Sequence, residues 1–170
     1  MNKIGLFYGS DTGNTEVVAG LVQKMMGEDI VDIFDIYDVR PEDIAQYDKI
    51  IFGLSTWYDG QLVSAFDDFE LSFQSIDFTG KKVALFGLGD QFGYADYFID
   101  GVGIIGKYVL AQGGELVVKW PTDDYDFEES KADMGDGYFM GLALDEDNQD
   151  DYTEERLEKW VPMVKEAFGV

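Results

Sequence analysis

The sequence predicts a three-layer α/β fold, a five-stranded parallel sheet with helices on both faces. Three observations predict it. Short apolar runs alternate with amphipathic stretches of helical period from one end of the chain to the other. Two of those runs, KIIFGL at 49–54 and KVALFGL at 82–88, are apolar almost throughout, as expected of strands covered on both faces. No linker, internal repeat or low-complexity tract divides the 170 residues, so residues 1–170 read as one domain with one sizeable core.

The elements follow in order. Residues 3–9 (KIGLFYG) read as a buried strand ended by glycine. Residues 12–26 read as a helix, with Val17, Val18, Leu21, Val22 and Met25 forming one apolar stripe. Residues 30–36 give a second strand, and Pro41 opens a short helix at 41–45. Residues 49–54 are the third strand, 62–73 a helix, and 82–88 the fourth strand. A helix over 97–112 is closed by Gly113 and Gly114. The fifth strand begins at 115–119. The connection at 120–151 is too long for an ordinary loop, so it reads as functional or as an insertion into that strand, which residues 138–144 would resume. The last helix covers 153–168, with Thr153 as its cap, Glu154 and Glu155 in its first turn, and Pro162 expected to bend or break it.

Composition narrows the chemistry. The chain has no Cys and no His, which excludes thiolate and imidazole metal centres and the nucleophilic triads that depend on them. Redox work would need a bound organic cofactor. Twelve basic residues stand against 35 acidic ones, a net charge of −23. Such a chain repels nucleic acid and anionic membrane surfaces and favours basic protein partners. The N-terminal segment lacks the long apolar core of a signal peptide, and no run is long enough to span a membrane, so no membrane insertion and a cytoplasmic location are expected.

In an open parallel sheet, ligands sit beyond the carboxyl ends of the strands. Three loops lie there. Ser10-Asp11-Thr12-Gly13-Asn14-Thr15 presents hydroxyls, a glycine and free N–H groups at a helix N-terminus, an anion site in composition, although a plain Ser/Thr-rich cap has the same composition. It is neither a Walker A loop nor a G-x-G-x-x-G turn, and it holds no Lys or Arg. The second loop, Ser55-Thr56-Trp57-Tyr58-Asp59-Gly60, puts a Trp directly after a buried strand, to cover a ligand or to pack on a helix. The third, residues 87–96 (GLGDQFGYAD), allows close backbone approach. In it, Tyr94 would wall a slot opposite Trp57, and Asp90 would accept from a ring N–H between them. Together the three describe a phosphorylated, planar aromatic ligand.

The segments IGLFYGSDTGNTE (4–16), STWYDGQL (55–62), FGLGDQFGYADYF (86–98), DDYDFEESKA (123–132) and GLALDEDNQ (141–149) resemble those of the long-chain flavodoxins of cyanobacteria and algae, and the likeness covers essentially the whole chain. The resemblance implies a flavodoxin-like three-layer sandwich with strand order 2-1-3-4-5 and a fifth strand split by a long loop. It also implies one non-covalently bound FMN. Ser10, Asp11, Thr12, Gly13, Asn14 and Thr15 would hold the phosphate. Thr56, Trp57, Tyr58, Asp59 and Gly60 would line one side of the isoalloxazine, and Asp90 and Tyr94 its pyrimidine edge and opposite face. Ser55, Leu88, Gly89 and Tyr97 would complete the set, with Asp147 near the ribityl chain. The Tyr58–Asp59 peptide would turn its carbonyl towards ring N5, with Gly60 easing the turn. The family often has Thr at 10, Lys at 14 and Pro before Thr56; here stand Ser10, Asn14 and Ser55.

The function so implied is a low-potential one-electron carrier that substitutes for ferredoxin. Its expected partners are photosystem I, ferredoxin–NADP reductase and other ferredoxin-dependent reductases, met as a monomer through their basic faces. The alternative is an FMN-dependent NAD(P)H or quinone reductase of the same fold. A receiver domain needs a phosphorylatable Asp at the end of the third strand, where Gly53-Leu54-Ser55 stands instead.

Overall fold

A computed structural model describes residues 3–10, 13–57, 61–62 and 64–170. Strand β1 (Ile4–Tyr8) lies between β2 (Val31–Asp35) and β3 (Lys49–Trp57), parallel to both. β5 (Lys82–Leu88) pairs parallel with the far side of β3. The outer edge of β5 is covered in two pieces, β6 (Glu115–Leu116) and β9 (Leu142–Leu144), both parallel to it. The principal order is therefore the expected 2-1-3-4-5, the fifth strand being β6 and β9 together. A short β4 (Gln61–Leu62) pairs antiparallel with Thr56 and Trp57.

Side-chain alternation assigns the faces. Phe52 of β3 packs edge-on to Phe66 and Phe73 of α3 (Ser64–Phe73). Phe86 of β5 is in register with Gly53, one residue on from Phe52, so it points to the other face, where it meets Trp160 of α5 (Thr153–Phe168). A Cβ at Gly53 would lie 2.1 Å from the Phe86 ring, so only glycine admits that ring across the sheet. α1 (Asn14–Met26) packs beside α5, and α4 (Asp100–Ala111) joins α3 through Gln112, which donates to the Phe73 and Ile76 carbonyls. α2 (Pro41–Ala45) is the short helix expected, with Pro41 in its first turn. No helix among the described residues is long and apolar enough to cross a membrane.

Several expectations need correction. β3 runs three residues beyond 54, because Thr56 and Trp57 gain an antiparallel partner in β4. The first half of the fifth strand stops at Leu116: Val118 takes a φ of 64°, which turns the chain out of the sheet. The second half starts at 142, because Tyr138–Phe139 (β8) pairs instead with Trp120–Pro121 (β7) in a ribbon of its own. The buried face of α1 is Thr15, Val18, Ala19, Val22 and Met26, whereas Val17 and Leu21 are 64% and 39% exposed. α4 starts at 100, not 97, since Ile99 sits at a left-handed φ of 46° before it. Thr153 is not a cap. It lies inside the first turn and its hydroxyl donates to Glu146. α5 continues through Pro162, and the carbonyl that loses its donor there belongs to Glu158, an exposed residue on the solvent side of the helix.

Candidate functional site

The first loop leaves β1 beside β3, where the Gly9 N–H donates to the Gly53 carbonyl at 3.0 Å. Gly13 turns the chain with a φ of 92°, and its N–H donates to Ser10 Oγ at 2.9 Å. The first helical bond of α1 runs from Val17 N–H to the Gly13 carbonyl, so the helix itself makes no use of the N–H groups of residues 14–16. Thr15 is buried and Asn14 exposed. Glu16, in this first turn, accepts from the Tyr8 hydroxyl at 3.3 Å. Burial, then the charges of Glu16 and Asp35, push the Tyr8 phenol up to about 12. Asp11 and Thr12 lie outside the described residues.

The second loop is the end of β3. Ser55 and Thr56 are buried, and Thr56 Oγ1 accepts from the Gly101 N–H at 2.8 Å, tying the strand end to the first turn of α4. The expectations for the Trp57 indole and for Tyr58, Asp59 and Gly60 lie outside the described residues.

The third loop follows β5. Leu88 and Gly89 are buried, and the Gly89 N–H reaches the Leu144 carbonyl at 3.0 Å. Asp90 has a more specific set of partners than expected. Its Oδ1 accepts from Gly93 N–H (2.7 Å), Asn148 Nδ2 (2.8 Å) and Phe92 N–H (3.1 Å). Burial works against the charge, but these three donors win and hold the carboxyl below its ordinary value. A Cβ at Gly93 would stand 2.4 Å from Asp90 Oδ2, so any other residue there would displace that carboxylate. Tyr94 and Tyr97 are half-buried, the Tyr97 N–H donating to the Tyr94 carbonyl at 3.0 Å.

A fourth segment, beyond β9, completes the arrangement. Asp145 is fully buried. Its Oδ2 accepts from Gln91 N–H (3.1 Å), Gln91 Nε2 (2.7 Å) and Asn148 Nδ2 (2.9 Å), and its Oδ1 from the N–H groups of Asp147 (3.2 Å) and Asn148 (3.1 Å). Gln91, also fully buried, passes the linkage on by accepting from Asp126 N–H at 2.7 Å. Sequence reasoning singled out Asp147 but not Asp145, Gln91 or Asn148. The only local signal was a carboxylate directly after an apolar strand. Desolvation first, then repulsion from Asp90 and Asp145, raises the Asp147 carboxyl.

Asn14, Thr15, Ser55, Leu88, Gly89 and Asp147 line one cleft together with Glu146. The structure thus brings residues of all three predicted loops, and of the segment after β9, to one place at the carboxyl end of the sheet. The cleft is narrow, about 10 Å³; its donors are backbone N–H groups and neutral side chains, and the carboxylates of Glu146 and Asp147 share its lining. Among the described residues no group of carboxylates is arranged to hold a metal ion.

Comparison with known proteins agrees with this geometry. The family model described as Flavodoxin matches residues 6–160. The flavodoxin of Synechocystis is 52% identical over 166 residues, covering 97% of each chain. That of Haemophilus influenzae is 49% identical over 164 residues, 96% of this chain and 94% of that protein. The crystal structure of Fusobacterium nucleatum flavodoxin bound to flavin mononucleotide superposes with a TM-score of 0.92 at 32% identity, covering 99% of both chains.

Proposed function

This chain belongs to the flavodoxin family, and from that premise we propose that it binds one FMN non-covalently in the cleft between the strand-end loops. Its function is that of an FMN electron carrier, not an enzyme. The observation that carries the binding reading is the convergence of three loops on the N-terminus of α1, where the N–H groups of residues 14–16 stand unused by the helix beside Thr15, with Ser10 capping the turn at Gly13. FMN, when bound, supplies the one-electron redox chemistry of the carrier.

The residues then divide the work. Ser10, Asp11, Thr12, Gly13, Asn14 and Thr15 bind the phosphate through N–H dipoles and hydroxyls. Ser55, Thr56, Leu88 and Gly89 form the floor, and Trp57 and Tyr94 flank the ring plane. Asp90, Tyr97 and Asp147 border the remaining edge. Gln91 and Asp145 hold the third loop in place without reaching the ligand. With FMN bound, the Tyr58–Asp59 carbonyl would accept a hydrogen bond at ring N5, and Asp59 would add to the negative field of a chain with net charge −23, which opposes further negative charge in the site. Asp59→Asn therefore raises the lower of the two reduction potentials in a redox titration.

Redox proteins are the partners of such a carrier. The specific ones proposed are photosystem I as donor and ferredoxin–NADP reductase or other ferredoxin-dependent reductases as acceptors, met in the cytoplasm by a monomer through their basic faces. Titration with FMN is the direct test. Saturable one-to-one quenching of flavin fluorescence is expected. A protein that leaves the flavin fluorescent, or one that oxidises NAD(P)H steadily on its own, would overturn the proposal.

A further inference from the structure

Asn148 stands between two carboxylates. Its Nδ2 donates to Asp90 Oδ1 at 2.8 Å, and to Asp145 Oδ2 and Oδ1 at 2.9 Å and 3.1 Å. An amide nitrogen carries two hydrogens, so one serves Asp90 and the other is shared by the two oxygens of Asp145. The backbone N–H of Asn148 also donates to Asp145 Oδ1, at 3.1 Å. The amide is thus held in one orientation, although Asn148 is an exposed residue. Few side chains could replace it. A hydroxyl has one hydrogen for two acceptors, and a carboxylate would set a third negative charge against the other two.

The bonds close into a ring. Gln91, next in the chain to Asp90, donates to Asp145 Oδ2 from its N–H and its Nε2. Asp145 is joined to Asn148, and Asn148 returns to Asp90. Asp90 in turn shapes the third loop, because its Oδ1 accepts from the N–H groups of Phe92 and Gly93. Among the described residues, Asn148 is the only group outside that loop that bonds to the Asp90 side chain. Asp145 has other donors. Gln91 and the N–H groups of Asp147 and Asn148 still reach it when the Asn148 side chain is shortened. Removing the amide therefore loosens one turn and leaves the buried part of the network closed.

We propose that Asn148 is a positioning residue for the flavin ring: it holds the turn that begins at Asp90 in the conformation that the bound ring meets. The inference rests on the FMN reading above. A loop already fixed loses less freedom when a ligand arrives, so the contribution is to affinity for the ring and not for the phosphate. The test loads the full chain with FMN or with riboflavin, which carries the ring without the phosphate, and follows flavin fluorescence on dilution. Asn148→Ala should weaken both flavins by the same factor, about tenfold. Asn148→Asp, of the same shape but without the donor, should weaken them at least as much. In an Asp90→Ala background, adding Asn148→Ala should change neither affinity further, because its effect runs through Asp90. The urea midpoint of the flavin-free Asn148→Ala chain should stay near that of the unaltered one, as an exposed position allows. The proposal is overturned if Asn148→Ala holds both flavins normally, if it weakens FMN and spares riboflavin, or if its loss is undiminished in the Asp90→Ala background. An unaltered protein that holds neither flavin overturns the inference together with the FMN reading.

Discussion

Asp145 joins segments that are far apart in the chain. Its buried side chain accepts from five donor groups on the third loop and on the segment after β9, and each of those donors depends on it. Asp145→Ala would strand the Gln91 amide and several N–H groups, and should cost about 3 kcal/mol, read as a lower urea midpoint. The same change frees the third loop, so flavin affinity falls with it. Asp145→Asn, which keeps shape and some acceptor capacity, should cost less. This residue was hard to find in sequence because its main partner, Gln91, is 54 positions away. A Ser/Thr/Gly loop before a helix announces itself locally, whereas a buried carboxylate becomes visible only once the sheet brings β5 and β9 side by side. The tyrosines give a second residue-scale outcome. Tyr8 and Tyr47 are both pushed up from 10.0 to about 12, Tyr47 by burial and then by its 2.7 Å bond to Asp32. Their folded values exceed their unfolded ones, so their contribution is complete below pH 10 and is lost as pH rises towards 12. Melting temperature should therefore fall across that window, and Tyr47→Phe should flatten part of the fall.

Elements were more legible than their ends. The parallel strands were readable because a strand covered on both faces has no polar side to confuse the pattern, as in β3 and β5. Boundaries failed where tertiary partners intervened: β4 extended β3, and the β7–β8 ribbon claimed residues expected in the fifth strand. α1 was found, but its buried face was misjudged by one position in each turn, because Val17 and Leu21 are as apolar as the residues that do pack. Two glycines on helices test how each helix is seated. Gly20 in α1 is exposed, and a methyl added there would meet nothing within 4 Å, so Gly20→Ala should raise stability by about 0.5–1 kcal/mol in urea unfolding. Gly103 in α4 is the opposite case. A Cβ there would stand 2.3 Å from the Lys131 carbonyl carbon, backbone that cannot rotate away. Gly103→Ala should lower stability by about 1–3 kcal/mol in the same assay, by forcing α4 off the long connection.

Across the whole molecule, 35 acidic residues and 12 basic ones leave a surface that repels itself, and the ion pairs of the described residues are few and largely exposed. Raising ionic strength should screen that repulsion and raise the melting temperature. It should also slow electron transfer to a basic reductase, a fall visible in stopped-flow rates. An unchanged rate would remove charge steering from the account.

The split fifth strand has one more consequence, for how copies of this chain behave when crowded. The outer rim of the sheet beyond β5 is made of pieces two and three residues long, separated by residues 117–141. A rim so broken offers no uninterrupted row of N–H and C=O groups for another molecule to extend, and fibril growth needs such a row. Joining residue 116 to 142 through two residues, the number that lie opposite Ala84 and Leu85 of β5, would create one.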